Sequence, residues 1–281
     1  MTRGTFLVDG EGNFGGVNAG WTFYNLTFGD GIGTTTTTKY ESNDITILNS
    51  LTVNESQTLL AGDHTWSFNW ASGGDYLTNI KQIAAGYSHT VALTTGGAVW
   101  AWGRNNYGQL GDGTTTDREL PVQVLDSTGE YPLFGISAID AGYQHTVALT
   151  IVGAVWAWGY TPYGPLGAGT TTCRKLPEQV KDHAGTGTLS GISAIAAGYQ
   201  YTVALTTGGA VWAWGYNNYG QLGDGTTNDR KLPVQVKNYA DTSILSRITL
   251  SGISAIAAGD LYTVALTTSG TVWAWGRNNY G

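Results

Sequence analysis

Four histidines, one cysteine and 20 acidic residues are the groups of this 281-residue chain that could carry acid–base, nucleophilic or metal chemistry. His89 and His145 form the most pointed pair: each follows an Ala-Gly-x-x motif, and they stand 56 residues apart. An imidazole can move a proton near neutral pH or hold a metal. In two later copies of the motif, however, the same place is taken by Tyr201 and Tyr262. A phenol can stand in for an imidazole as a hydrogen-bond donor but not as a proton carrier at neutral pH. The expected role is therefore structural, a ring bonded to a backbone carbonyl.

The loop Gly-Asp-Gly-Thr-Thr-Thr-Asp at 111–117 gathers two carboxylates and several hydroxyls, a composition that could hold calcium. Asp112 and Asp117 become Ala168 and Cys173 in the next copy and return as Asp224 and Asp229 in the third. A loop that forms without its acids is expected to need them for turning the chain, with calcium as the alternative. Asp9, Glu11 and Asn13 form a similar acidic cluster near the N-terminus. The run Gly29-Asp30-Gly31-Ile32-Gly33 lacks the Lys-Ser/Thr and following helix of a phosphate loop. Cys173 has no cationic helix end or paired His beside it, so it reads as a small apolar or loop residue. No Gly-x-Ser-x-Gly or His-Glu-x-x-His motif occurs. Arg118, Arg174 and Arg230 repeat one position and are expected to form a solvated ladder on one rim, with an anion-binding surface as the alternative. Nothing marks out a catalytic constellation, and the expected protein is not an enzyme and has no cofactor.

The elements that must position these residues are strands. Glycine supplies 42 residues and threonine 40, whereas Met1 is the single methionine and charged residues are 12%. Thr, Val, Tyr and Trp fit a pleated surface, and the good helix formers are scarce. A mainly helical protein is excluded. Disorder is excluded too, because 41% hydrophobic and 12% aromatic residues can fill a core. The net charge of −7 sits unevenly: residues 1–79 hold eight acids against Arg3 and Lys39, and the rest is nearly balanced. Without a basic stripe, nucleic acid is not an expected partner. No apolar run is long enough for a membrane span, and the N-terminus lacks the basic and apolar regions of a signal peptide.

Four ungapped segments repeat: 83–103, 139–159, 195–215 and 256–276. Their tryptophan pairs are Trp100/Trp102, Trp156/Trp158, Trp212/Trp214 and Trp273/Trp275. The block Tyr-Gly-Gln-Leu-Gly-Asp-Gly-Thr-Thr at 107–115 recurs at 219–227, and Leu-Pro-Val-Gln-Val at 120–124 recurs at 232–236. Each unit reads as four short strands, with Gly208-Gly209 as the positive-φ residues of one hairpin and the proline strand at an edge. In Val211-Trp212-Ala213-Trp214 the indoles share one strand face and the small residues the other. Both faces are apolar, so the strand must be covered twice, as in stacked propeller blades. The eight tryptophans are expected to form the repeat core.

The pattern Ala-Gly-x-x-His-Thr-x-Ala-Leu, followed by Gly-x-Val-Trp-Ala-Trp-Gly-x-Asn-x-Tyr-Gly-Gln-Leu-Gly-Asp-Gly, resembles the repeat of the regulator of chromosome condensation family over about residues 80–281. The resemblance implies a β-propeller, usually of seven blades. It leaves the chemistry open, because the family includes a nuclear nucleotide-exchange factor, bacterial inhibitors of β-lactamase and bacterial extracellular surface proteins. Pro162, Pro165 and Ala168 depart from the pattern in the second unit.

The expected fold is all-β: a partial propeller of three and a half blades (80–135, 136–191, 192–252 and the incomplete 253–281) within residues 76–281. Residues 1–75 are expected to form a small β-solenoid-like or sandwich segment, with strands at 21–28, 44–49, 50–53, 58–61 and 65–70. Thr34–Thr38 reads as a linker or edge strand. An open array exposes an apolar face at each end, so the expected partner is another copy of the chain, the remainder of a longer one, or another protein. The connections 125–135, 181–191 and 237–252 vary while the strands hardly change, which makes Tyr131, Phe134, Tyr239 and Leu245 the candidate interaction residues. The expected function is a structural, adhesive or self-assembling protein, extracellular or at a bacterial cell surface. A secreted protein-binding or inhibitory propeller acting through those loops is the alternative.

Overall fold

The computed structural model describes residues 77–238 and 250–279 in full, and in the N-terminal segment the backbone of seven strands. Among the described residues there is no helix, and so none long and apolar enough to cross a membrane. The chain divides into two compact units, Met1–Tyr76 and Leu77–Gly281.

In the first unit, consecutive strands alternate between two parallel sheets. Thr5–Val8, Trp21–Phe28, Ile45–Val53 and Trp66–Phe68 form one, and Gly12–Phe14, Thr36–Tyr40 and Gln57–Leu60 the other. Thr5 lies beside Asn25, Trp21 beside Ile45 and Ile45 beside Trp66. Parallel neighbours need a crossover, and here each crossover is itself a strand of the other sheet. That is the winding of a solenoid coil and not the hairpin order of a sandwich. The threonine run is neither linker nor edge: Thr36–Tyr40 is the middle strand of its sheet, paired on both sides. Asp9, Glu11 and Gly29–Gly33 lie outside the described residues.

The second unit is an array of four antiparallel sheets. The first has Ile80–Ala85, His89–Thr94, Val99–Gly103 and Arg118–Gln123 in meander order. Ile136–Ala141, His145–Thr150, Val155–Gly159 and Arg174–Gln179 make the second, and Ile192–Ala197, Tyr201–Thr206, Val211–Gly215 and Arg230–Gln235 the third. The fourth has three strands, Ile253–Ala258, Tyr262–Thr267 and Val272–Gly276. The proline-bearing strand is at the edge in each complete blade. The first strands of successive blades pack against one another, which places them innermost.

The hairpin between second and third strands turns on one positive-φ glycine: Gly97, Gly153, Gly209 or Gly270. Gly208 is not in that conformation, contrary to the expectation for the Gly-Gly pair. Its counterpart can therefore be any residue, and in the second blade it is Val152.

Each junction joins the indoles of one blade to the small face of the blade before it. Trp158 clusters with Val91, Val99, Ala101, Leu110 and Val124, and Trp214 with Val147, Val155, Ala157 and Val180. Trp273 and Trp275 pack on Val203, Val211 and Ala213. Trp158 and Trp214 are wholly buried, Trp156, Trp212, Trp273 and Trp275 are half-buried, and so are Trp100 and Trp102 of the first blade. Trp158 Nε1 donates to the Gln109 carbonyl at 2.9 Å, Trp214 Nε1 to Pro165 at 2.7 Å and Trp275 Nε1 to Gln221 at 2.9 Å. Each indole thus repays its buried N–H as well as filling the interface.

Candidate functional site

The meander places all loops of a blade at one of two faces. Loops joining first to second and third to fourth strands meet on one face, where the N–H groups of Arg104, Tyr160, Tyr216 and Arg277 donate to Ser88, Gln144, Gln200 and Leu261. The hairpins and the connections between blades meet on the opposite face, where Thr95, Ile151 and Thr207 donate to Asn79, Gly135 and Gly191.

The buried His and Tyr rings stand at the blade junctions. His89 Nε2 meets Thr146 Oγ1 at 3.0 Å, and His145 Nε2 meets Thr202 Oγ1 at 3.2 Å. The partner is a hydroxyl and not the expected carbonyl; only the longer Tyr201 reaches carbonyls, those of Gly259 and Tyr262. Burial lowers His89 to about 4 and His145 to about 3, so both are neutral. The rings lie flat on the motif glycines: a Cβ at Gly142 would fall 2.2 Å from His145 Cε1 and 2.4 Å from the Gly198 carbonyl. These rings are enclosed packing groups, shut off from any ligand.

The acidic loops are also filled. Asp112 Oδ1 accepts from Asn105 Nδ2 at 3.0 Å and from the N–H and hydroxyl of Thr114 at 3.0 and 2.8 Å, while Oδ2 takes Arg118. Asp224 repeats this set with Asn217, Thr226 and Arg230. Burial pushes both carboxyls up, but the Thr and Arg donors, joined at Asp112 by Asn105, outweigh it and hold them below the usual range. A carboxylate surrounded by N–H and O–H donors offers a cation no open lone pairs, so the loop does not fit calcium. Among the described residues no group of three or more His, Cys, Asp or Glu is placed to hold a metal. The arginines are not a free ladder either: Arg118 and Arg230 anchor on these nearly buried carboxylates, and Arg174 turns to Glu178. Cys173 is a half-buried free thiol at the place of Asp117.

On the connection face, residues 125–135 and 181–191 share one conformation. Asp126 N–H bonds the Tyr131 carbonyl as Asp182 N–H bonds Gly187, and Leu133 and Leu189 are buried alike. Tyr131 and Phe134 are 65% and 59% exposed where the second connection has Gly187 and Ser190. Sequence reasoning missed their neighbours. Ile151 and Val152, 75% and 78% exposed, occupy a hairpin whose counterparts are Thr95-Gly96, Thr207-Gly208 and Thr268-Ser269. Ile151 N–H donates at 2.9 Å to Gly135, the residue after Phe134, so hairpin and connection adjoin. The backbone folds equally well around Thr, Gly and Ser here, so the four apolar side chains serve no need of the scaffold. The signal was available in the sequence as a break in the repeat, but only the fold brings both breaks to one place. Tyr239 and Leu245 lie outside the described residues.

A family model for the RCC1-like domain matches residues 50–281. The ultraviolet-B receptor UVR8 of Arabidopsis thaliana is 38% identical over 202 residues, 72% of this chain and 42% of that protein. The human E3 ubiquitin-protein ligase HERC2 is 34% identical over 203 residues, 72% of this chain and 4% of the ligase. The chain thus spans less than half the length of either. Human WBSCR16 superposes with a TM-score of 0.58 at 24% identity, covering 71% of this chain and 48% of that one. Prp20p of Saccharomyces cerevisiae, described with its binding to Gsp1p and histones, gives 0.53 at 26% identity over 71% and 44%.

Proposed function

Because the chain belongs to the RCC1-like domain family, we propose that it is a non-enzymatic protein-binding module whose contact surface is the connection face at its first blade junction. Propellers of this family bind proteins. One observation carries the choice of surface: Tyr131, Phe134, Ile151 and Val152 expose apolar side chains that the equivalent loops replace with Gly, Ser and Thr. Large apolar groups held in water with no packing role mark a contact site for an apolar segment of a partner. The other repeats supply the test substitutions. Phe134→Ser, Ile151→Thr and Val152→Gly install residues that the same backbone already carries elsewhere, so the triple variant keeps its melting temperature. Partners captured by the unmodified protein and identified by mass spectrometry are then titrated against the variant. At least about tenfold weaker binding supports the reading, since hot-spot truncation costs more than 1 kcal/mol. Unchanged affinity for every partner removes it.

Self-assembly through the apolar flank of the fourth blade is the second reading. There Val272 is 63%, Tyr262 47% and Leu266 38% exposed, where their counterparts in the third blade are buried by the next. Concentration-dependent sedimentation tests it, and a monomer at all concentrations excludes it.

A further inference from the structure

The face opposite the connections is paved with tyrosine. An inner row, Tyr87, Tyr143 and Tyr199, crosses three blades with ring centroids 4.4 Å apart at each step. The row is held by its backbone, Tyr87 N–H donating to Tyr143, Tyr143 to Tyr199 and Tyr199 to Asp260. These residues line a shallow trough of about 350 Å³ that ends at Asp260, the acid standing where a fourth tyrosine would be. An outer row pairs rings across the blade junctions: Tyr107 with Tyr160 at 4.4 Å and Tyr163 with Tyr216 at 4.9 Å. The two rows adjoin: the Tyr160 N–H donates to the Gln144 carbonyl next to Tyr143, and the Tyr216 N–H to the Gln200 carbonyl next to Tyr199, each at 2.9 Å. Tyr87 is 68% exposed, Tyr219 42% and Tyr163 38%.

The third junction shows what these rings accept. The position held by Tyr160 and Tyr216 is Arg277 in the fourth blade, and its guanidinium lies 5.2 Å from the Tyr219 ring centroid. One site in the array therefore alternates between a phenol and a guanidinium against the same ring. A guanidinium is planar and weakly hydrated, so it stacks on an aromatic face that a compact ammonium holds less well. The carboxylate at the end of the inner row adds a charge partner for such a group. We propose that this face binds an arginine-rich segment of another protein, its guanidinium groups stacking on the outer faces of Tyr87, Tyr163 and Tyr219 and pairing with Asp260. Single-stranded nucleic acid would also stack on such rings, but it needs a basic track along its phosphates, and residues 80–281 are nearly balanced, with 12 acids against 11 bases and no basic run. This surface is opposite the one assigned above and does not depend on it.

The test titrates the full chain with a fluorescein-labelled peptide alternating Arg and Gly. Matched peptides carry Lys or Glu in place of Arg, and a polyproline peptide and an oligouridylate complete the set. The Arg peptide is expected to bind at least about fivefold more tightly than the Lys peptide. Tyr87→Leu combined with Tyr163→Leu and Tyr219→Leu weakens it about tenfold or more, whereas the three Phe variants stay within about twofold. Asp260→Asn weakens it about threefold. All three tyrosines are exposed, and an unchanged melting temperature verifies each variant. Equal binding of Arg and Lys peptides, Leu variants that bind as well as the original, or no binding of the Arg peptide overturns the proposal. Tighter binding of polyproline or oligouridylate, or self-association lost in the Leu variants, assigns the face to another ligand and overturns it too. Loss of partner binding in the Phe134, Ile151 and Val152 variant bears only on the connection face.

Discussion

Replacing His89 and His145 by Tyr should remove a specific acid sensitivity while leaving the blade junctions intact. Both rings are buried and neutral, with pKa values lowered to about 4 and about 3 from 6.5. In the unfolded chain they titrate near 6.5, so between that pH and the folded value the unfolded state binds more protons. Stability therefore rises with pH across this window and falls on acidification. At about pH 5 the linkage relation gives a loss of about 2 kcal/mol for each histidine relative to about pH 8, about 4 kcal/mol together. Asp140 runs the other way, because burial raises its carboxyl against donation from the Ala197 and Ala141 N–H groups. It is common to both proteins and cancels in the comparison. Tyrosine is the residue that the next junction uses: Tyr201 lies over Gly198 and reaches the Gly259 carbonyl. Urea unfolding followed by tryptophan fluorescence at both pH values measures the difference. The original chain should lose about 4 kcal/mol more than the double variant. Equal losses would refute the assignment of these imidazoles as neutral packing groups.

Gly142→Ala should destabilise the second junction by about 3 kcal/mol in urea unfolding, because its Cβ meets both the His145 ring and the Gly198 carbonyl. Asp224→Ala removes the nearly buried carboxylate that accepts from Arg230 and from the N–H and hydroxyl of Thr226, and should cost about 2–3 kcal/mol. Trp158→Phe removes the bond to the Gln109 carbonyl, which still accepts from Thr146 at 2.8 Å. Its cost, read by thermal denaturation, should be about 2 kcal/mol and below that of Trp158→Ala, which opens a cavity. Gln82→Ala deletes the paired bonds of its amide to Ile139 N–H and C=O at 3.1 and 2.7 Å, so hydrogen exchange at Ile139 should quicken.

The sequence by itself determined the strands, their order within a blade and the faces they bury. Val211–Gly215 could be read as a strand covered on both sides because alternation has a period of two and both sets of side chains are apolar. The copied Trp pairs, the Pro-bearing edge and the structural role of His89 were legible for the same reason: each is a local pattern, checked against its own repeats. What the tertiary structure decided is which residues meet. Tyr107 and Tyr160 touch across 53 positions, and Phe134 and Ile151 adjoin through a hydrogen bond between a connection and a hairpin. Those meetings depend on the rotation from one blade to the next, which no periodicity along the chain encodes. The same holds for Asp112: its part in turning the loop was legible, but the Asn105, Thr114 and Arg118 donors that fill its lone pairs and leave no place for calcium are set by the folded loop. It holds also for Thr36–Tyr40, whose place in the middle of a parallel sheet comes from coils winding over one another. Strand formation is a property of neighbouring residues, whereas a surface is assembled from distant ones, and only the packing of blade on blade sets its composition.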